Sequence, residues 1–470
     1  MSNAKSDAPL SLKIMINKQK TKVLFAEADS DFADVLLSFL TLPLGKIARV
    51  LENHYGDKAP VFGSLSTLYK SLVNLDNARF VTEAAQMMLT NPWSSFEDDC
   101  RNLKLDISDS RPPKYYTCSD YWCDFLFSDN ICMYYGSASC DCGKTLNKRE
   151  IISDPPAADG EGVFTKNTAS FIVYDNLRMV PYATGFLQTL RNLGIRDAHG
   201  AELRIVNFGI GKVIELLKCC LLSETPLTDL ILNNSQNSSC AARQSESLLS
   251  FHQIEKKEAG NSKNITLKVT VQKSTKKLLF AQGEADFVEL LFSFLTIPLG
   301  GVEFLLKNNT CLKNVDNLYR SLSDAIDDKY FKTPVTKNRL MNPKLPHGYT
   351  SKNQFLPLSE ESAPTLYYEG GKFYYNKQSE SNVVSYFRSP KGQGNFVKEE
   401  STYMITDDLT VTPFCMTLGL NILDRLNIPL CDVGELEVPV GLEEVLRILK
   451  ASLTSTFALT NGLANHILYS

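Results

Sequence analysis

Ser11–Gly45 reads SLKIMINKQKTKVLFAEADSDFADVLLSFLTLPLG, and Thr266–Gly300 reads TLKVTVQKSTKKLLFAQGEADFVELLFSFLTIPLG. Laid against each other without a gap, 17 of the 35 positions are identical. A match of that density marks an internal repeat. The register continues downstream. Leu68-Tyr-Lys-Ser-Leu72 matches Leu318-Tyr-Arg-Ser-Leu322, and Asn91-Pro92 matches Asn342-Pro343. Asp175-Asn-Leu177 matches Asp407-Asp-Leu409, and Leu227-Thr228 matches Leu459-Thr460. The offset falls from 251 to 232 between the second and third of these matches, so about 19 residues are missing from the second copy between Asn342 and Asp407. The sequence therefore predicts a first copy over 8–232, a polar Ser/Asn-rich linker over 233–263 and a second copy over 264–470.

Within a copy, Leu12, Ile14 and Ile16 alternate with Lys13, Met15 and Asn17, the period of a half-buried strand. Lys18–Thr21 is a polar turn and Lys22–Ala26 a second strand, so each copy opens with a β-hairpin. From Asp31 onward Phe32, Val35, Leu36, Phe39 and Leu40 share one helical face, repeated by Phe287, Leu290, Leu291, Phe294 and Leu295. Pro43 and Pro298 must end or kink these helices. Asp31 and Asp286 read as helix caps. Leu44, Ile47, Val50 and Leu51 begin a second stripe. Strands are expected at Ser170–Tyr174 and Met404–Thr406, and helices at Thr184–Leu193, Gly211–Leu222, Cys415–Leu426 and Leu442–Leu453. The fold class is α+β, a tandem duplication of a β-hairpin-plus-helices domain.

Composition bounds the function. The chain has 470 residues, 43% of them hydrophobic, and a net charge of −4. It is too apolar to be disordered, and it lacks the basic excess that non-specific nucleic-acid or anionic-membrane binding needs. Val35–Leu44, the longest apolar run, falls well short of the ~20 residues that span a bilayer. The first ten residues contain no apolar secretory core, so the expected location is cytoplasmic or nuclear. There the 12 cysteines would be reduced, which favours metal ligation or inert burial over disulfides.

Six cysteines lie within Cys100–Cys142, and four form two short-spaced pairs, Cys118-x4-Cys123 and Cys140-x-Cys142. Two chain reversals carrying two thiols each can close a tetrahedral shell, so a structural zinc site is expected. Gly143 suits the sharp turn after Cys142. No histidine is near, and Cys132 is an alternative fourth ligand. Buried inert thiols and a redox-active set are the competing readings. Tyr115, Tyr116, Tyr134, Tyr135 and other aromatics around the pairs fit a small β-rich, zinc-ribbon-like insert over about 113–150. The matching interval of the second copy, Thr365–Phe387, has no cysteine and spans part of the deletion, so the second copy is expected to lack the insert.

The hairpin ending LFAEA, the DF-x-x-x-L-x-SFLTLPLG helix and the CDCGK segment resemble the plant family known as domain of unknown function 674. The resemblance implies a plant protein with no established reaction and no catalytic residues to carry over. A Cys-rich segment is usual in such copies. Other motifs read blandly. Gly143-Lys144-Thr145 lacks the first glycine of a P-loop, Gly209-Ile-Gly211-Lys212 is a strand-to-helix turn, and Glu97-Asp98-Asp99 is a solvated loop. Lys18, Lys20 and Lys22 form a solvated hairpin tip, and Cys219-Cys220 pack into the core. The first functional expectation is a non-enzymatic interaction or scaffold protein with a structural zinc and an unnamed protein partner. The alternatives are a small-ligand binder or enzyme with its site between the copies, and a cysteine redox sensor.

Overall fold

The opening hairpin forms because alternate residues bury: in β1 (Leu10–Ile16) Leu12, Ile14 and Ile16 are buried and Lys13 is exposed. The protein is represented by a computed structural model that describes residues 10–120, 123, 131–150, 152, 162–182, 186–192, 194–195, 199–232, 264–352, 354–369, 372–377, 381–384, 387–392, 394–399 and 401–468. The expected linker, 233–263, lies outside the described residues. β2 (Val23–Asp29) runs three residues beyond its expected end. After the helices come three short strands, β3 (Tyr115–Cys118), β4 (Ile131–Met133) and β5 (Leu146–Glu150). Then follow β6 (Ser170–Val173), β7 (Met179–Pro181) and β8 (Glu202–Phe208).

The second half repeats this order with β9 (Ile265–Gln272), β10 (Lys277–Glu284), β11 (Leu366–Glu369), β12 (Lys372–Tyr374) and β13 (Asn382–Val384). It ends in β14 (Thr402–Thr406), β15 (Val411–Pro413) and β16 (Val433–Val440). The two large antiparallel sheets have the same strand order, β7-β6-β2-β1-β8 and β15-β14-β10-β9-β16. The small sheets also correspond, β4-β3-β5 and β12-β11-β13. The architecture is α+β, as the repeat predicts. The edge strands β8 and β16 escape sequence reading. In β8 the apolar Leu203 and Ile205 are exposed at 58% and 63%, so the usual apolar-in alternation is absent.

The first helices are α1 (Ser30–Thr41), α2 (Leu44–Tyr55), α3 (Leu65–Asn74) and α4 (Glu83–Thr90). The cap of α1 is Asp29, whose carboxylate accepts the Phe32 amide at 2.9 Å; Asp31 instead ion-pairs with Lys104. Asp286 accepts the Phe287 amide at 2.7 Å, within the first turn of Ala285–Phe294. The remaining expected helices occupy Phe186–Asn192, Ile210–Leu222, Met416–Arg425 and Leu442–Thr454.

The halves interlock at their most similar segments. Pro43 and Pro298 meet as an antiparallel bridge. The Leu44 amide donates to Ile297 O at 3.0 Å, Gly45 to Leu295 O at 2.8 Å, and Leu299 to Leu42 O at 2.9 Å. Glycine suits this close approach. A Cβ on Gly45 would lie 3.0 Å from Leu295 O, and one on Gly300 would lie 3.1 Å from both Leu340 O and Leu40 O. The buried hydroxyls nearby are satisfied identically in each half. Ser38 and Thr41 donate to Val35 O and Ser38 O, and Ser293 and Thr296 donate to Leu290 O and Ser293 O.

Elements are also exchanged. Ser71 of α3 accepts the amide of Val411 in β15, and its counterpart Ser321 accepts that of Met179 in β7. Phe80 bridges to Val397, and Phe331 to Thr165. The buried carboxylates Asp34 and Glu289 receive matching pairs of loop amides, from Val163 and Thr165 and from Phe396 and Val397. One hydrophobic cluster runs through both halves, so the two stretches of sequence do not pack as separate bodies.

Two consequences are measurable. Gly300→Val should destabilise the chain by about 1–3 kcal/mol through overpacking against two backbone carbonyls. Gly209→Ala, where nothing lies within 4 Å of the new Cβ, should shift the denaturant midpoint less, by no more than alanine's cost at a helix N-cap. Glu303 is fully buried, and burial first, then the adjacent Asp316 carboxylate, pushes its carboxyl up to about 9 from an ordinary 4.5. It keeps its proton when folded and loses it when unfolded. Its stabilising contribution is therefore complete below pH 4.5 and is lost as pH rises to about 9. Across that window, stability of the native chain should fall with pH more steeply than that of Glu303→Gln, by up to about 1.4 kcal/mol per pH unit. Equal slopes in denaturant titrations would refute the assignment.

Candidate metal centre

β3 is the middle strand of the small sheet, and both of its neighbours arrive through long connections. Residues 119–130, with Cys123, lead to β4; residues 134–145, with Cys140 and Cys142, lead to β5. Cys118 closes β3 itself. The sulfur atoms of these four cysteines all lie within 4.8 Å of one another, and Cys118 Sγ is 3.6 Å from Cys142 Sγ. A tetrahedral ion with metal–sulfur bonds of about 2.3 Å sets its sulfurs roughly 3.8 Å apart, whereas a disulfide needs about 2.05 Å. The arrangement can hold a metal ion. Cys118, Cys123 and Cys140 are buried, and Cys142 is exposed.

The backbone supports the thiols. Gly143 turns with φ +82°, as its position after Cys142 requires. The Asp120 amide donates to Cys118 Sγ at 3.4 Å, and the Lys144 amide donates to Cys142. Donation from Lys144, and then from Cys123, lowers the Cys142 thiol to about 7. Cys123, donating to Cys142, is pushed up to about 12. Burial raises Cys118. Lys144 reaches Asp120 at 2.7 Å and joins the two thiol-bearing connections.

Cys132 stands apart from the four. It is fully buried, and its thiol donates to Tyr135 O at 3.2 Å. With Cys118, Cys123, Cys140, Ala138 and Leu146 it forms a small core separate from the main one. The aromatic neighbours Tyr115 and Tyr134 point the other way, into the main core. Tyr115 meets the second half's small sheet, its hydroxyl 3.3 Å from that of Tyr375. Arg388 anchors the module from the second half, its amide donating to Ile131 O and its guanidinium reaching Asp141 at 2.5 Å.

The second half was expected to lack this insert, and the structure amends that reading. β11–β13 retain the three-stranded sheet without any cysteine. Only the connections have contracted, to 370–371 and 375–381. A short connection needs no cross-link to close it.

The acidic run is the plainest error of sequence reading. Glu97 is buried, and both of its oxygens lie 3.0 Å from Lys46 Nζ, which is buried too. Asp99 pairs with Arg339 at 3.0 Å; only Asp98 is solvated. Burial raises the Glu97 carboxyl, against the opposing pull of Lys46. A single sequence holds no signal that couples positions 46 and 97. The bland readings of the other motifs stand: Lys144-Thr145 leave the metal turn, Gly209 precedes the Ile210–Leu222 helix, and Cys220 is buried within it.

The family model described as Protein of unknown function (DUF674) matches residues 6–439, with a second match over 371–467. The chain belongs to the DUF674 family. No curated protein and no solved structure matches it. Among its described residues, no helix of this DUF674 chain is long and apolar enough to cross a membrane.

The Lys46–Glu97 pair yields a third test. Lys46→Met leaves a buried carboxylate uncompensated and should cost about 3–5 kcal/mol in urea unfolding. The double variant Lys46→Met/Glu97→Met should recover most of that loss. A double variant no better than the single one would show that the pair is not isolated from water.

Proposed function

We propose that Cys118, Cys123, Cys140 and Cys142 hold one zinc ion as a closed structural site. In this reading the DUF674 chain is an interaction protein rather than an enzyme, and the zinc-tied module forms part of a recognition surface for a protein partner. The observation that carries the reading is the convergence of four thiols, from the end of β3 and two separate connections, onto one centre. An all-thiolate tetrahedron leaves no coordination position for substrate, which favours a structural role. The chemistry of the module agrees. Its private core is mostly cysteine, so ligation would supply the cohesion that apolar burial does not, of order 10 kcal/mol. The amide donors to Cys118 and Cys142 are the supporting contacts that metal thiolates use. Persistent thiols also require a reducing compartment, the cytoplasm or nucleus.

Elemental analysis of the purified chain tests this. The expected result is about one zinc per chain, lost in Cys140→Ser/Cys142→Ser and kept in Cys132→Ser. Metal-free protein whose four thiols alkylate readily would overturn the zinc reading. A reversible disulfide among the same four, formed under mild oxidant without metal, would replace it with a redox role.

A further inference from the structure

We propose that the first half binds a small, flat aromatic molecule carrying an anionic oxygen group, a carboxylate or a phosphate. The site is a cavity of about 430 Å³ between α2, α4 and the small sheet, with all its lining residues between Lys46 and Tyr135. Its volume falls in the range of small-molecule pockets, which combine apolar walls with a few convergent polar groups. The cavity lies within one half, not between the copies.

The walls are aromatic. Trp93 and Tyr134 pack with ring centroids 4.9 Å apart, and Tyr116 and Tyr135 face the same space. Tyr135 is held by its hydroxyl, which donates to Met87 O at 3.3 Å. The Trp93 amide donates its hydrogen bond to the Tyr349 hydroxyl at 3.0 Å, so the backbone that carries the indole is fixed from behind. Such surfaces stack well against a flat ring.

The charge is unbalanced. Four cations line the cavity: Lys46, Arg49, Arg111 and Lys114. Glu97 neutralises Lys46 at the buried floor, and Asp109 neutralises Arg111 at the rim. Among the described residues, Arg49 and Lys114 have no carboxylate within ion-pair distance, and they come from opposite walls, α2 and the residue before β3. An uncompensated guanidinium and ammonium beside aromatic rings select an oxyanion on an aromatic body. The second half provides a control. In the register of the repeat, Gly301 and Phe304 stand where Lys46 and Arg49 do. The shared fold therefore does not require these cations.

Binding can be read with 2-naphthoate and 2-naphthyl phosphate as anionic probes and 2-naphthalenemethanol as the neutral one. Calorimetry on the full chain gives affinity, and quenching of tryptophan fluorescence reports contact near Trp93, one of two tryptophans. At least one anionic probe should bind saturably with Kd below about 1 mM. The neutral probe should bind at least about tenfold more weakly, as should the better anion to Arg49→Gln/Lys114→Gln. Comparing the two anions decides between carboxylate and phosphate. Equal binding of charged and neutral probes, undiminished binding to a folded double variant, or no saturable binding of either anion would overturn the proposal. The neutral-probe comparison needs no variant and so stands even if the double substitution fails to fold. Zinc content is measured separately, so failure here leaves the metal reading untouched.

Discussion

The structure depends on a close backbone crossing at Pro43 and Pro298. Each proline ends a helix whose buried Ser and Thr hydroxyls return to their own helix carbonyls, leaving the helix end free of unmet donors. That lets one PLG turn lie against the other and trade three amide hydrogen bonds. Any side chain at Gly45 or Gly300 would hold the turns apart. The crossing then sets Ser71 of α3 against the edge strand β15 of the second large sheet and Ser321 against the edge strand β7 of the first. Each sheet takes all its strands from one half, but the amide of its edge strand, β7 or β15, is met by a serine of the other. This explains why SFLT-x-PLG is the best preserved segment of the repeat: its residues meet their own counterparts, and a change on one side must be accommodated on the other.

Much of this was legible from spacing. Alternation found the hairpins, the three-to-four periodicity found the helices, and the repeat found the correspondence of the halves but not their contact. What stayed hidden has a common cause. The exchange of α3 and its counterpart leaves no trace in local pattern, because Ser71 meets Val411 only in the folded chain. β8 was missed since its apolar residues face outward. Glu97 looked solvated because its partner lies 51 residues earlier in an apolar helix. The four thiols were found because ligand chemistry imposes short spacings; excluding Cys132 needed its contact with Tyr135 O.

The two small sheets separate what the fold requires from what the thiol cluster adds. Both keep a central first strand flanked by the next two, so the sheet does not depend on thiols. The halves differ in how the chain returns between strands. Long returns carry an entropic cost that grows with length, and in the first half four sulfurs gather where the second half simply shortens the loops. A thiol cluster able to hold a metal ion and a contracted loop are two solutions to one closure problem.

The longer solution leaves surface that the shorter one does not. β3 serves three regions with adjacent residues. Tyr115 docks on the second half through Tyr375, Tyr116 lines the cavity, and Cys118 belongs to the thiol group. Tyr134 and Tyr135, just beyond β4, complete the cavity wall. A strand of four residues cannot shift at one end without moving the other. Any ion held at Cys118 therefore fixes the strand that carries Tyr116, while α2, pinned by the proline crossing, holds Arg49 opposite. The spacing across the cavity is thus set by two constraints, one shared by both halves and one present only in the first. That asymmetry is the physical reason a repeated fold can carry a thiol cluster and a cavity lined by the first half alone.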